Sequence, residues 1–439
     1  MARERQESLI PGAIGLLGGL IALLVTSLRG VESTKFPDAR PILEQAYGIT
    51  EGWSFMQSHT LLQSNPLQLQ FPWGLPAILA FTFFVSSSTS LFLFKVLLAV
   101  IHGFSVFLLA RLGQQMQLKN IYWILAAIGF SLDPFILSSA TDIQTESFTT
   151  LFVLCWAYMY LNWTVSTERV LLRIIIFPVT GFLAIVIRPN IILPFMLVAI
   201  FMLFAWHRNG IRNRVLITSI FVFVTLLIAF EIFLTRLYAG FVFLAPNGGL
   251  NSVLTCRPEF IPQYLGGASN AENLKINGWY SNYLQEMTSD ILAKQQSLSI
   301  PSVNEELYRS GLSYCLENPV SSIGVLMLKI FALWRPFLVI GAYGMPLVIL
   351  SAFLWVPMTV AAVVYLSNTK LSRVNRQLKV YFMLLALGFT LSLLPAATQI
   401  RHRVAFAEPF YWLFLAFLAS EFFVKVVTYG KNMRVSKSR

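Results

Sequence analysis

LIPGAIGLLGGLIALLVTSL, residues 9–28, runs for twenty positions without a charge. A bilayer-crossing helix needs roughly 20 apolar residues, so this stretch reads as one complete crossing. It follows the short charged head MARERQES, which gives it the outline of a secretory signal. The apolar run is too long for a signal core and no small-x-small cleavage site follows, so a retained anchor is expected. Comparable runs recur as far as Val427, at roughly 9–28, 89–110, 121–137, 147–164, 171–187, 191–206, 215–236, 344–366, 379–396 and 404–424. With 56% hydrophobic and 12% charged residues and a mean hydropathy of +0.68, the composition excludes an ordinary soluble domain. The expected fold class is an all-α polytopic membrane protein of about ten transmembrane helices, with residues 1–439 forming one integral membrane domain.

The net charge of +12 suggests nucleic-acid binding in a soluble protein, but here the position of each charge matters more than the sum. With the N-terminus inside, the cytoplasmic segments carry 18 Lys and Arg residues against three acids, Glu4, Glu7 and Glu168. Nearly all other acids fall on the opposite side. The positive-inside rule therefore expects both termini in the cytoplasm. An inner (plasma) membrane of a bacterium is the expected location, because the outer loop lacks an Asn-x-Ser/Thr site and the chain shows no endoplasmic-reticulum retention signal.

Two extracytoplasmic segments are long enough to hold structure, residues 29–88 and 238–343. In the first, PDARPILEQAYGITEGW reads as a short amphipathic helix, and FPWGLPAILAFTFF (71–84) as a short re-entrant or interfacial one. The second ends in ENPVSSIGVLMLKIFALWRPFLVIG, which reads as a helix along the surface, with a true crossing as the alternative. Cys256 and Cys315 both lie in this loop, where oxidation is permitted, but spacing alone leaves their pairing open.

The charged residues at the outer boundary are the candidates for chemistry. Asp38 is either an ordinary solvated carboxylate or, held by the apolar-patterned helix that follows (Ile42, Leu43, Ala46, Ile49), a general base. In SLDPFILSSATDIQTES (131–147), Asp142 and Glu146 are four apart and would share a face near the start of a helix. Asp142 could equally be an N-terminal cap, and Asp133 before Pro134 reads as a helix-end residue. Opposite them stand Arg188 in IRPN, Arg335 in WRP, and Arg401, His402 and Arg403 in TQIRHRVAFAEP. Any one of these arginines could simply snorkel to headgroups, but three sites on one face suggest a pocket for an anion such as a phosphate. The chain has no Walker loop, no GxGxxG after a strand, no HExxH and no zinc spacing among its four histidines.

FPDARPILEQAYGITEG after a first span, the Pro-rich FPWGLPAILA, acids before the fourth span (TDIQTES), RPN opening a later one, a large outer loop and RHRVAFAEP opening the last resemble one family. This layout is similar to polytopic glycosyltransferases of the GT-C superfamily, especially the protein O-mannosyltransferase-like and lipid A aminoarabinose transferase-like branches. The likeness covers the whole chain in layout. Two departures are Pro41, where members often carry an aromatic residue, and His402 in place of Tyr. The sugar and the acceptor class are therefore not transferable.

The resemblance implies a sugar donor on a polyprenyl-phosphate carrier and an acceptor hydroxyl outside the cytoplasm. Asp38 would be the catalytic base, with Arg188, Arg401 and Arg403, joined by His402 and Arg335, at the lipid phosphate. Glu146 or Asp142 would position the acceptor, or bind a divalent cation as in some relatives; no cofactor is predicted. The expected partners are the lipid-linked donor and membrane lipid, with no nucleic acid. The alternatives are a lipid or lipid-linked sugar transporter, disfavoured by the scarcity of mid-membrane ionisable residues, and a non-catalytic scaffold.

Overall fold

The computed structural model describes residues 2–34, 39–50, 72–86, 88, 90–163, 170–208, 213–238, 240–244, 248–261, 282–283, 285–286, 289, 300–338, 344–395 and 400–437. Among these residues every regular element is helical. Asp38 lies outside the described residues, as do residues 51–71.

Among the described residues four helices contain stretches long and apolar enough to cross a bilayer: α1 (Ala2–Arg29) over Leu9–Arg29, α4 (Phe92–Gln115), α10 (Asn213–Leu237) over Ile217–Leu237, and α14 (Met345–Ser367). Two bent pairs raise the number to six if each is one crossing. They are α5 (Asn120–Leu132) with α6 (Pro134–Ala140), bent by 58°, and α12 (Ile300–Glu317) with α13 (Pro319–Trp334), bent by 107°. Each of the ten expected spans overlaps a helix, but length and composition alone do not reach ten. α8 (Val170–Ile187) and α9 (Ile192–Arg208) contribute only shorter apolar stretches. α7 (Glu146–Trp163) opens on a polar first turn, and α15 (Arg373–Leu393) carries Arg373, Arg376 and Lys379 in its first two turns. The polar first turn of α7 is buried, which lowers mean hydropathy without exposing charge to lipid, whereas Arg373 and Arg376 of α15 are exposed.

The bundle is assembled around α7. Tyr381 of α15 donates to the Val153 carbonyl at 2.7 Å, and Trp156 donates to Thr180 of α8 at 3.1 Å. Thr150 reaches the Ala405 carbonyl in α16 (Ile400–Phe406) at 2.8 Å. The last helix, α17 (Glu408–Lys437), follows directly and packs on α5 and α14.

α1 lies against α4 through glycines. A Cβ on Gly103 would stand 2.7 Å from the Gly15 carbonyl and 3.2 Å from Gly19 Cα, so the two backbones meet where side chains would part them. Gly103→Ala is expected to destabilise the detergent-solubilised protein by about 1–3 kcal/mol, read as a lower unfolding midpoint. Gly12→Ala, whose added methyl meets nothing within 4 Å, should not lower it.

In the segment 29–88, α2 (Ala39–Thr50) buries Ala39, Ile42 and Ala46 and stacks Tyr47 on Phe83 of α3 (Gly74–Ser86), with ring centroids 5.3 Å apart. At 13 residues α3 reaches about 20 Å, short of a full crossing. Its first residue has no room for a side chain, since a Cβ on Gly74 would lie 2.6 Å from the Ile187 backbone. Trp73 beside it donates to Tyr238 at 2.8 Å, tying the segment 29–88 to the start of the segment 238–343. Burial raises the Tyr238 phenol, which therefore stays neutral. In the second segment α11 (Gly248–Val253) packs on α12, and Cys256 is bonded to Cys315, with Cα atoms 5.5 Å apart. The pairing that spacing left open is thus made.

Candidate functional site

The α6–α7 turn gathers three of the described candidates, Asp142, Glu146 and Arg188. Asp133 ends α5 and caps α6, accepting from the Phe135 and Ile136 amides at 2.9 and 3.3 Å, while Pro134 supplies the first helical position. α6 stops at Ala140, and Thr141 turns the chain with its hydroxyl bonded back to the Leu137 carbonyl. From Asp142 to Thr145 the chain turns before α7 begins. Thr141, Asp142, Gln144, Glu146 and Ser147 are all buried.

The shared helical face expected of Asp142 and Glu146 does not form, because α7 starts at Glu146. Asp142 accepts from the next amide, Ile143, at 2.8 Å, so its carboxylate shapes the turn instead of projecting from a helix. Glu146 occupies the first helical turn, where the macrodipole favours a negative charge. Arg188 comes to it from the break between α8 and the 3-10 turn Pro189–Ile191, with Nη1 3.6 Å from Glu146 Oε1 and 3.5 Å from the Thr149 hydroxyl it donates to. Both side chains are more than nine-tenths buried.

The cations from the later sequence sit on another side of α7. Arg403 is fully buried, with Nη2 3.0 Å from Glu408 Oε1 and Nη1 donating to the Arg335 carbonyl at 2.6 Å and the Trp334 carbonyl at 3.3 Å. Its guanidinium also stacks over Trp355, 4.8 Å from the ring centroid. In this arrangement Arg403 spends its charge on Glu408 and on fastening α16 to the end of α13. The Thr150–Ala405 bond joins this cluster to the first turns of α7. Arg335 is buried and His402 half-buried; the Arg401 backbone lies in α16, and its side chain is outside the described residues. Arg188, Glu146 and Asp142 thus belong to one buried polar region, and Arg403 and Arg335 to a neighbouring one.

Charges that were not among the expected site residues, Lys95 being read only as a mid-span ionisable group, complete the region. Lys95 of α4 is buried, and its ammonium donates to the carbonyls of Ser33 and Thr141. Arg29 donates to the Thr141 hydroxyl at 2.8 Å, and Glu32 accepts from Ser90 and the Leu91 amide. A lysine inside an otherwise apolar span is itself a sequence signal, because intramembrane charge is costly and needs a partner. Glu408 was visible in RHRVAFAEP, five residues after Arg403. Among the described residues no group of three or more His, Cys, Asp or Glu gathers as a metal site.

The chemistry available here is that of charge held in a water-poor region. An ion pair 3.6 Å apart with most of its surface buried can open toward a ligand that offers a replacement charge, and a bidentate guanidinium fits a phosphate. The fold and site define an all-α protein with several apolar, membrane-length helices and a buried polar cluster at one helix start. The chain matches no protein-family model and no curated protein sequence.

Proposed function

We propose that this protein is a membrane glycosyltransferase of the GT-C kind, which moves a sugar from a polyprenyl-phosphate carrier to an acceptor hydroxyl on the extracytoplasmic side. The proposed setting is an inner membrane crossed about ten times, with both termini in the cytoplasm. The observation that carries the reading is the buried Glu146–Arg188 pair beside Asp142, in the turn that the charge distribution assigns to the outer boundary. The disulfide supports the same orientation, because Cys256 and Cys315 belong to a loop placed on the oxidising side by charge alone.

In the proposed reaction the acceptor oxygen attacks the anomeric carbon and its proton passes to Asp38. The bond from that carbon to the phosphate oxygen breaks, and the electron pair leaves on the lipid phosphate. One displacement of this kind inverts the anomeric centre. A phosphate leaving group is a stable anion that needs neighbouring positive charge more than a proton donor. Arg188, paired with Glu146 of the acidic turn, takes that role, with Arg401; Arg403, with its charge committed to Glu408, acts chiefly by holding α16. Glu146 then releases Arg188 to the phosphate and turns to the acceptor hydroxyl.

Binding of a short-chain polyprenyl phosphate to the purified protein tests this reading. The wild type should bind it, and Arg188→Gln should weaken binding by about tenfold or more, the scale of a charge-assisted hydrogen bond. Equal binding by both forms, or none by the wild type, counts against the proposal.

A further inference from the structure

We propose that Lys95 is the positioning residue of this site: its ammonium clamps the chain leaving α1 to the turn that carries Asp142 and Glu146. The proposal rests on the transferase reading for its functional consequence, and on the geometry alone for the clamp.

Lys95 lies one turn into α4 with 1% of its surface exposed. Its Nζ donates to the Ser33 carbonyl at 3.3 Å and to the Thr141 carbonyl, from residues 62 and 46 positions away in sequence. The charges that act on it are Asp142 and Glu32, of opposite sign, and Arg29, of the same sign. Each of these is itself tied in. Arg29 donates to the Thr141 hydroxyl, Glu32 accepts from Ser90 and Leu91 just before α4, and Asp142 accepts from Ile143. Three separate pieces of chain therefore meet at one ammonium: the end of α1, the start of α4, and the α6–α7 turn.

A filler residue does not account for this. Burying a charge on an apolar helix is costly, and Met or Leu would pack the same volume without that cost. What the ammonium adds is donors for two backbone carbonyls that regular structure does not satisfy and a countercharge for Asp142. Lys95 touches neither end of the proposed reaction. It acts by setting the position of the turn, so its loss should appear in the chemical step more than in donor binding, which falls to Arg188.

The test compares Lys95→Met and Lys95→Arg in the full-length protein, by hydrogen exchange and by kinetics. Lys95→Met should raise exchange roughly tenfold at residues 29–34 and 141–145 while α7 and α15 stay protected. Its kcat should fall by about 10²-fold, the scale of a 1 Å misplacement, with polyprenyl-phosphate affinity unchanged. Lys95→Arg, which keeps charge and donors, should recover much of both. Unchanged exchange at the two segments overturns the clamp, and so does a uniform rise across the chain in both variants, which marks a general stability role. If the segments respond as expected but the wild type transfers no sugar, the clamp stands and the transferase reading falls.

Discussion

Asp38→Asn is expected to lower sugar transfer by about 10²–10⁴-fold, the usual contribution of a positioned general base, with little change in thermal unfolding. The amide has the shape of the carboxylate but cannot take the acceptor's proton. Described residues on either side of it in sequence are anchored: Ala39, directly after it, is fully buried in the core, and Ser33, five residues before it, is held by Lys95. A folding defect is not expected from an isosteric change. The kinetic split adds a second check, because the loss should lie in kcat while affinity for the lipid phosphate persists. Asp38→Glu should retain intermediate activity. Full activity in Asp38→Asn removes the proposed base.

Glu408→Gln is expected to destabilise the protein by about 3–5 kcal/mol, seen as a sharp fall in folded yield and unfolding midpoint in detergent. The reason is the charge left behind. Arg403 and Glu408 are both 0% exposed, so neutralising the acid strands a guanidinium that neither water nor lipid can solvate. Arg403→Met removes the partner of the acid in turn. Replacing both together, Arg403→Met with Glu408→Met, should cost much less than either single change, because an apolar pair of similar volume needs no countercharge. Additive losses in the double variant contradict this account of the pair.

Much of the architecture was legible in hydrophobic runs, because a crossing helix must satisfy its backbone internally and present apolar side chains over a set length. The run at 9–28 became α1, and those at 89–110, 215–236 and 344–366 became α4, α10 and α14 with ends shifted by a few residues. The run at 121–137 was assigned as one span, although Asp133 before Pro134 inside it also reads as a helix end. The structure bends there by 58°, since Pro134 cannot extend the preceding ladder and Asp133 caps a new helix. Buried polar turns were harder to read. Hydropathy cannot tell the polar opening of α7, enclosed by neighbouring helices, from an exposed loop.

The site was legible in its residue types and much less in its pairings. Arg188 and Glu146 were both singled out, but nothing in a linear sequence says that the break after α8 faces the first turn of α7. The Arg403–Glu408 pair spans only five residues and was within reach of a local reading. Lys95 was not: its acceptors are backbone carbonyls, which leave no mark on residue identity, and they belong to segments distant in the chain. The Cys256–Cys315 bond likewise depends on how closely α11 and α12 pack.

The most direct measurement is made in proteoliposomes holding the purified protein and a polyprenyl-phosphate donor with a labelled sugar, following glycosidic cleavage and lipid sidedness together. The account predicts label leaving the carrier for an acceptor hydroxyl with inverted configuration, and carrier lipids that stay in their leaflet. Protein-dependent movement of intact donor between leaflets, with the sugar still on its phosphate, would contradict it.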